Sequence, residues 1–292
     1  MTRGPAQFAI VTAANGAGER LDVFLARELD LPRHYVHRLL ERERVWLGGR
    51  PASKGTLLDV GNRLEILPFR HPSEGPHAAP ELPLSVLAEE RGLVAVDKPA
   101  GMPTHPLDFD ERTSVVNAFL ARYPDAVGIG DGGLHAGLVH RLDTDTSGVL
   151  LFANEPRAWR EAREAFRSGR AEKHYLARVH GALRGEREVV LQLAQRGDHV
   201  RVVERGGRPA RTRLGAVQRD GETSIVAIEL LTGVRHQIRA TLAHLGHAIV
   251  GDQRYGSPVD CGRHLLHATR LRIGKFEASS PPVEITQWVA TG

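Results

Sequence analysis

The sequence predicts an α+β protein in which a small N-terminal α/β module precedes a larger domain built on a mixed, mostly antiparallel sheet flanked by helices and loops. At 292 residues the chain is long enough for one sizeable hydrophobic core and one small one. In its C-terminal part, apolar segments at 92–96, 148–153 and 224–230 alternate with amphipathic stretches such as 159–166. Segments in this mixed order are typical of a sheet covered by helices.

The N-terminal module is predicted from short periodic segments. Apolar residues recur at helical spacing in 21–29 and again in 32–40, and each stretch predicts a short helix. Residues 45–47 and 64–67 have the composition of strands, and Gly48-Gly49 supplies a turn between them. A further strand candidate at 7–12 precedes the helices.

The stretch 68–84 has the composition of a linker, since it is rich in Pro, His and Glu and lacks apolar periodicity. It divides the chain into an N-terminal segment 1–17, a small module 18–67, the linker itself and a large domain 85–292.

The overall composition is that of an ordinary globular protein, with 41% hydrophobic and 25% charged residues. No apolar run approaches the roughly 20 residues that cross a bilayer, and the apolar run near the N-terminus is too short for a secretory signal. The single cysteine, Cys261, cannot form an internal disulfide. We therefore expect a cytoplasmic protein that does not contact a membrane. The net charge of +4 suits a polyanionic partner without identifying one.

Two patterns suggest cofactor or metal binding, and we interpret both as structural. The glycines at 128–133 match the spacing of a dinucleotide-binding turn, but no strand precedes them, so we predict a loop. His236, His244 and His247 fall along one predicted helix without carboxylate or thiolate neighbours, which favours a structural role over metal binding. We expect no cofactor, nucleotide or metal.

Residues 18–67 resemble the S-four-type RNA-binding domain, named for a small-subunit ribosomal protein. The matching pieces are Arg20-Leu-Asp, the helix at 33–40, and strand and turn residues at 44–50 and 60–64. The resemblance implies that the basic face of the second helix lies against RNA backbone. Its contacts would be Arg33, His34, Arg38 and Arg42. A solvated helix face is the alternative, because glutamates lie among these bases.

The segment 140–148, His-Arg-Leu-Asp-Thr-Asp-Thr-Ser-Gly, directly precedes a predicted strand. Small hydroxyl residues and a glycine beside an aspartate at a strand entrance build a tight turn, and such a turn can hold Asp143 at a fixed angle in a cleft. From this segment alone, a plain turn with Arg141 as a surface neighbour explains the pattern equally well.

This segment resembles the signature of the RluA-type family of RNA pseudouridine synthases. Further blocks match in the family's order, so the resemblance spans nearly the whole chain; they lie at 93–105, 172–181, 231–239, 246–256 and 266–268.

The resemblance implies a role for individual residues. Asp143 would be the nucleophile, Tyr175 the residue that stacks on the base, and Arg239 the arginine that pairs with the carboxylate. Arg141 stands where the family has an arginine that occupies the space of the displaced nucleotide, with His140 beside it as a second RNA contact.

These roles are physically reasonable. A uridine in folded RNA must leave its stack before it reacts, which costs a few kcal/mol. Stacking on Tyr175 would return about 1–3 kcal/mol, and Arg141 would fill the vacated space. A guanidinium at Arg239, on the edge of a helix predicted at 234–245, would keep Asp143 ionised against the effect of burial. The alternatives are a core role for Tyr175 and a solvated position for Arg239.

We therefore expect a monomeric, cofactor-free enzyme that isomerises uridine to pseudouridine in structured RNA, with large-subunit ribosomal RNA preferred and transfer RNA second. The main alternative is a non-catalytic RNA-binding or ribosome-assembly factor that retains the fold. A phosphate-binding protein has no need of a cleft carboxylate such as Asp143, which argues against that alternative. A glycoside hydrolase using Asp143 and Asp145 is disfavoured, because residues two apart on an extended segment point to opposite faces.

The chain departs from the family's pattern at three positions. It has Val234, Thr241 and Ala248 where members usually have Arg, His and Pro. Since the aspartate, tyrosine and paired arginine are kept, these departures bear on the substrate and on RNA contacts rather than on the chemistry.

Overall fold

The computed structural model describes residues 8–11, 17–108, 110–183 and 185–288, and the side chains of all of these except 8–11, 216 and 217. The chain divides into two compact units, Met1–Glu74 and Gly75–Gly292. We call them the N-terminal unit and the C-terminal unit. Their boundary falls within the stretch 68–84.

The N-terminal unit combines an antiparallel sheet with two short helices. Its elements are β1 (Phe8–Val11), α1 (Leu21–Glu28), α2 (Arg33–Glu41), β2 (Val45–Leu47), β3 (Arg50–Pro51) and β4 (Arg63–Ile66). The strands lie in the order β1-β4-β2-β3. Both helices form where apolar residues recur at helical spacing, and Leu21, Leu25 and Val36 are fully buried. Of the strand predicted at 7–12, both end residues lie outside the described part of the chain. Assignment of this unit to the S-four type stays a prediction.

The C-terminal unit is built on a ten-stranded sheet. Its strands are β5 (Ser85–Glu90), β6 (Leu93–Lys98), β7 (Ser147–Ala153), β8 (Glu172–His180), β9 (Arg187–Arg196), β10 (His199–Val202), β11 (Arg208–Asp220), β12 (Thr223–Leu230), β13 (Leu266–Ile273) and β14 (Phe276–Ser279). They lie in the order β10-β9-β11-β12-β8-β13-β7-β6-β5, with β14 also paired to β13. Among the described strands of this sheet, β7 and β13 run parallel and the other pairs are antiparallel. The predicted large, mixed and mostly antiparallel sheet is therefore confirmed.

Helices cover both faces of this sheet. They are α3 (Val115–Arg122), α4 (Pro156–Arg167), α5 (Gln237–His244) and α6 (Val283–Gln287). On one face Leu150 and Phe152 of β7 belong to the same cluster as Phe119 of α3 and Leu242 of α5. On the other face Leu151 packs in a cluster with alanines of α4. Because both faces are covered, every residue of β7 is buried. No helix within the described ranges is long and apolar enough to span a lipid bilayer.

Gly148 permits the parallel contact between β7 and β13. Its φ is +105°, and a Cβ at this position would lie 2.2 Å from the carbonyl oxygen of Ala268. No side chain fits there, so only glycine lets the two backbones approach. This contact fixes the point at which the loop carrying Asp143 enters the sheet.

The stretch 68–84 is packed against its own unit on each side of the boundary. In the N-terminal unit the hydroxyl of Tyr35 donates to the carbonyl of Arg70. In the C-terminal unit the side-chain amide of Asn117 donates to the carbonyl of His77 at 2.8 Å, and the backbone N–H of Ala79 donates to the carbonyl of Asn117 at 2.9 Å. Composition alone gave no sign of these contacts.

Candidate active site

The loop that carries Asp143 is held by a buried lysine. Lys98, at the end of β6, is fully buried, and its Nζ donates to the carbonyl oxygens of Thr144 at 2.6 Å and Thr146 at 2.8 Å. Burial lowers the pKa of Lys98 to about 7, and the carboxylates of Asp145 and Asp143 oppose this shift. Lys98 thereby ties the backbone that follows Asp143 to the sheet.

The backbone that precedes Asp143 is held from the segment after β6. The hydroxyl of Thr104 donates to the carbonyl of Leu142 at 2.6 Å and accepts from its N–H at 3.2 Å. The N–H of Gly101 donates to the carbonyl of Thr144 at 3.0 Å. Asp143 is therefore fixed on both sides, as a reacting group requires.

Asp143, Arg239 and Asp252 form a continuous chain of ion pairs. Arg239, on α5, donates from Nη1 to Oδ2 of Asp143 at 2.8 Å, and from Nε and Nη2 to the two carboxylate oxygens of Asp252 at 2.7 and 2.8 Å. The side chains of Asp252 and Arg239 are 1% and 8% exposed, whereas that of Asp143 is 27% exposed. The chain of charges thus runs from the interior to an accessible carboxylate.

The surroundings of Asp143 favour its ionised form. Burial alone would raise the pKa of this carboxyl, but the contact with His236 and the hydrogen bond from Arg239 outweigh burial and lower it. Its carboxylate partners raise the pKa of Arg239 although burial opposes them, so the guanidinium stays charged. In the part of the chain that the structure describes, Oδ1 of Asp143 accepts no hydrogen bond, which leaves one carboxylate oxygen available to a ligand.

Tyr175 lies on β8 in the same cluster as Leu142 and Ile238. Burial, and secondarily the negative charge of Asp143, raise the pKa of its hydroxyl. Tyr175 therefore shares a core cluster with the chain neighbours of Asp143 and Arg239. The side chain is only 7% exposed, so most of it serves the core and a small part remains accessible. That Tyr175 stacks on a base stays a prediction.

His236, predicted to be structural and without a carboxylate neighbour, and Tyr255, which was given no role, complete the site. Nε2 of His236 lies 3.8 Å from Oδ2 of Asp143, and Nδ1 lies 2.9 Å from the hydroxyl of Tyr255. The ring of Tyr255 also lies 5.0 Å from the guanidinium carbon of Arg239. Burial lowers the pKa of His236 to about 4, against the opposing effect of Asp143, so its ring is neutral near pH 7.

Arg141 and His140 have different surroundings. Arg141 is exposed, and its charge helps to lower the pKa of His105. His140 is bound inside the protein, since its Nε2 accepts from the N–H of Leu151 at 3.1 Å and its ring stacks on Phe166. Burial lowers the pKa of His140 to about 3. The contacts of His140 are structural, and its role in RNA binding stays a prediction.

The other predicted RNA contacts belong to the N-terminal unit. His34 and Arg38 are four residues apart on α2, and Arg42 follows four residues later at its end, so they share one helix face. His34 and Arg42 are exposed and Arg38 is half-buried. Arg33, the fourth predicted contact, binds within the protein: its Nη2 donates to the carboxylate of Asp22 at 2.7 Å.

Asp22 gathers three basic side chains. It is fully buried and accepts from Arg20 at 3.0 Å and from Arg33, and its Oδ2 lies 2.8 Å from Nε2 of His37. Burial would raise the pKa of Asp22, but these contacts lower it far below the usual range. The side chain of Arg33 is still 54% exposed, so it remains accessible to a ligand while Asp22 holds its orientation.

Residues of the glycine stretch 128–133 and of the histidine group, both interpreted as structural, have contacts within the protein. In the glycine stretch, Gly130 lies so close to Trp159 that a Cβ would be 2.7 Å from its indole nitrogen. His236 is bound to Tyr255, whereas Nδ1 of His247 lies 2.9 Å from the carbonyl of His180. The residues that the structure describes contain no group of His, Cys, Asp and Glu side chains suited to hold a metal ion.

Lys98, Asp252, His236 and Tyr255 were not predicted as site residues. All of them occur in the blocks that carried the family resemblance, at 93–105, 231–239 and 246–256. Their position in these blocks could have suggested a role in the site. Spacing along the chain, however, does not show that the turn at Asp252 lies beside α5.

Known proteins are similar to this chain over most of its length. Residues 92–244 match the family model described as RNA pseudouridylate synthase. A protein of Chloroflexus aurantiacus named as an uncharacterized RNA pseudouridine synthase is 36% identical, over 94% of this chain and 89% of its own. Ribosomal large subunit pseudouridine synthase D of Nitrosomonas europaea is 30% identical, over 89% of this chain and 78% of its own.

The fold has solved counterparts as well. The human RNA pseudouridylate synthase domain containing 1 aligns with a TM-score of 0.57 at 24% sequence identity, covering 68% of this chain and 83% of the human chain. At this level of identity the likeness concerns the fold.

Proposed function

This chain belongs to the RNA pseudouridine synthase family, and from that premise we propose that Asp143 is its nucleophile and large-subunit ribosomal RNA its substrate. Proteins of this family are isomerases that convert uridine in RNA to pseudouridine. The reaction breaks the bond between N1 of uracil and C1′ of ribose and forms a bond between C5 and C1′. One proton leaves C5 and one is gained at N1, so no redox partner is consumed.

The observation that carries the proposal for Asp143 is its pairing with Arg239 at 2.8 Å in a position that is still 27% exposed. A carboxylate attacks only when ionised, and the guanidinium keeps it so despite burial. Because Arg239 occupies Oδ2, the other oxygen, Oδ1, is the attacking atom in this proposal. Lys98 and Thr104 hold the loop so that Oδ1 stays at a fixed place relative to the bound nucleotide.

The extruded uracil would lie beside Tyr175, and Arg141 would fill the space that it leaves. Tyr175 is close enough to Asp143 for the carboxylate to act on its pKa, and its accessible part would form the floor beneath the base. Arg141 is exposed on the same loop, two residues before Asp143. Stacking of about 1–3 kcal/mol would offset part of the few kcal/mol that extrusion costs.

Support for ribosomal RNA comes from the relative named ribosomal large subunit pseudouridine synthase D and from the N-terminal unit. In this proposal the basic face of α2, with His34, Arg38 and Arg42, and the neighbouring Arg33 contact RNA backbone. Transfer RNA is the second candidate. We propose a monomer, since one chain supplies Asp143 and its partners, and a cytoplasmic location, since the single cysteine cannot form an internal disulfide.

The test uses RNA labelled with tritium at C5 of uridine, because isomerisation releases that label. With ribosomal RNA as substrate, Asp143→Asn should abolish label release while leaving RNA affinity nearly unchanged. Equal loss of both would assign Asp143 a structural role. A wild-type protein that binds RNA but releases no label from either RNA class would support the non-catalytic RNA-binding alternative. Release of the label from transfer RNA alone would show that transfer RNA, and not ribosomal RNA, is the substrate.

A further inference from the structure

His236 has an unusual backbone conformation for a buried side chain. It directly precedes α5 with φ of 52° and ψ of 22°, in the left-handed region that residues other than glycine rarely adopt. Its side chain is 6% exposed. Such a conformation is strained and persists only where the surroundings impose it, often at functional sites. The contacts of the imidazole indicate what this position achieves.

The ring of His236 lies between Asp143 and Tyr255. Its Nε2 is 3.8 Å from Oδ2 of Asp143, and its Nδ1 is 2.9 Å from the hydroxyl of Tyr255. The two rings meet edge to face, with centroids 5.8 Å apart and planes at 84°. The imidazole makes both contacts from the left-handed backbone position of His236.

Hydrogen bonding at Tyr255 favours one of the two tautomers of the neutral His236 ring. The backbone N–H of Val200 can only donate, and it does so to the Tyr255 hydroxyl oxygen at 3.0 Å. The hydroxyl hydrogen then needs an acceptor, and among the described residues the one in hydrogen-bond range is Nδ1 of His236. An Nδ1 that accepts leaves the proton of the neutral ring on Nε2. The N–H of Nε2 therefore faces Asp143.

We infer that His236 is a positioning residue for Asp143, and that the hydroxyl of Tyr255 fixes the tautomer through which it acts. The inference rests on the proposed role of Asp143 as nucleophile. Nε2–H of His236 and Nη1 of Arg239 converge on the same oxygen, Oδ2. The hydrogen bond from Arg239 and the attraction of the nearby Nε2–H together restrain the carboxylate and leave Oδ1 available to the substrate. At 3.8 Å the His236 contact is longer than a hydrogen bond, so it acts electrostatically.

The decisive pair of variants is His236→Gln and His236→Leu. Both replacements experience the same backbone strain at φ of 52°, because both carry a Cβ. Only glutamine has a side-chain N–H that can take the place of Nε2–H. We expect His236→Leu to lower kcat by about 10-fold to 100-fold, the scale of a small misplacement of a reacting group. RNA affinity and KM should be unchanged, and His236→Gln should recover most of the lost kcat.

A matched control and a stability measurement separate positioning from folding. His244 is exposed at the opposite end of α5, so His244→Gln should leave kcat at the wild-type value. Equal melting temperatures for the Gln and Leu variants at position 236 would show that both fold alike. The inference is overturned if His236→Leu keeps the wild-type kcat, if His236→Gln falls as far as His236→Leu, or if the loss appears in KM.

The tautomer can be observed directly. In wild-type protein the nitrogen NMR shifts of His236 should show the proton on Nε2, and Tyr255→Phe should give a mixture of tautomers with a smaller loss of kcat than His236→Leu. A proton on Nδ1 in the wild type overturns the assignment. If Asp143→Asn abolishes label release while His236→Leu is fully active, the present inference fails and the proposed function stands. If Asp143→Asn remains active, the proposed function itself fails.

Discussion

Asp252 accepts two hydrogen bonds from Arg239, at 2.7 Å from Nε and at 2.8 Å from Nη2, with both side chains buried. This bidentate pair fixes the plane of the guanidinium. Of the terminal nitrogens, only Nη1 then points to Asp143. The orientation of the accessible carboxylate is therefore determined by a buried one that a ligand does not reach.

Asp252→Ala should destabilise the protein and lower kcat. It leaves the buried guanidinium of Arg239 with one carboxylate partner instead of two, and breaking such a pair costs about 3–5 kcal/mol. Thermal unfolding checks the first effect and label release from C5 the second. Asp260 is an exposed carboxylate of the same region that accepts one backbone hydrogen bond, from Gly262. Asp260→Ala therefore serves as control and should leave kcat unchanged and lower the melting temperature far less than Asp252→Ala. If the Asp252→Ala protein has the wild-type melting temperature, the ion pair between Asp252 and Arg239 does not stabilise the fold.

The second prediction concerns pH. The pKa of Asp143 lies below its ordinary value of 3.8 because contacts with His236, Arg239 and His264 outweigh burial. The enzyme should therefore keep its activity until the pH falls below the usual aspartate range. A group with a lowered folded pKa adds stability above its unfolded pKa and loses it as pH falls through the folded value. Asp143 should accordingly contribute stability at neutral pH that disappears in strong acid.

Removing the guanidinium of Arg239 should make this lowering of the pKa smaller. Arg239→Met should be combined with Asp252→Asn, so that no buried carboxylate is left unpaired. Burial is then opposed by His236 and His264 alone, so the pKa of Asp143 rises relative to Asp252→Asn, and the acid limb of activity moves to higher pH. NMR titration of the Asp143 carboxyl measures this without relying on residual activity, with Asp252→Asn alone as the reference. A pKa that stays low in the double variant would show that Arg239 does not hold the charge.

Lys98 gives a third prediction. Its Nζ donates to the carbonyls of Pro99, Thr144 and Thr146, and Met at this position has similar length but no donor. The carbonyl of Thr144 keeps the N–H of Gly101 as a donor, whereas a buried carbonyl left without any partner costs about 1–3 kcal/mol. We expect Lys98→Met to lower the melting temperature and kcat together, since the Asp143 loop loses its attachment to β6. Lys275 is an exposed lysine, and Lys275→Met should affect neither quantity. Loss of stability without loss of kcat would mean that the loop keeps its position without Lys98.

The sequence was informative where structure is local or where family blocks are present. An uninterrupted apolar run predicted β7, because a strand buried on both faces is apolar throughout. Apolar residues at helical spacing predicted α2, because only one face of that helix is buried. The pairing of Asp143 with Arg239, 96 positions apart, came only from the resemblance, and the structure brings the two together.

Contacts set by tertiary structure could not be predicted. No periodicity shows that the turn at Asp252 lies beside α5 or that His236 adopts a left-handed conformation. The hydrogen bond from Arg33 to Asp22 could not be predicted either. The sequence does not distinguish a basic residue of α2 that binds within the protein from one that is available to contact RNA.

The fourth prediction tests the basic face of α2. His34, Arg38 and Arg42 share that face, and contacts of Arg or Lys with phosphate release counterions, so each lost contact lowers the salt slope of RNA affinity by about one. Replacing these three residues by Gln should weaken RNA binding at low salt and flatten its salt dependence, by about two for the two arginines. The value of kcat at saturating RNA should stay near wild type.

The control for this experiment is Lys54→Gln, which removes an exposed positive charge from the N-terminal unit outside α2. If only net charge matters, Lys54→Gln should lower the slope as much per charge as the α2 variants do. If the face of α2 binds backbone phosphates, the control leaves the slope unchanged because Lys54 makes no phosphate contact. An unchanged slope in the triple variant would mean that RNA binds this enzyme without α2. The proposed role of Asp143 would be unaffected, since the carboxylate and its partners lie in the C-terminal unit.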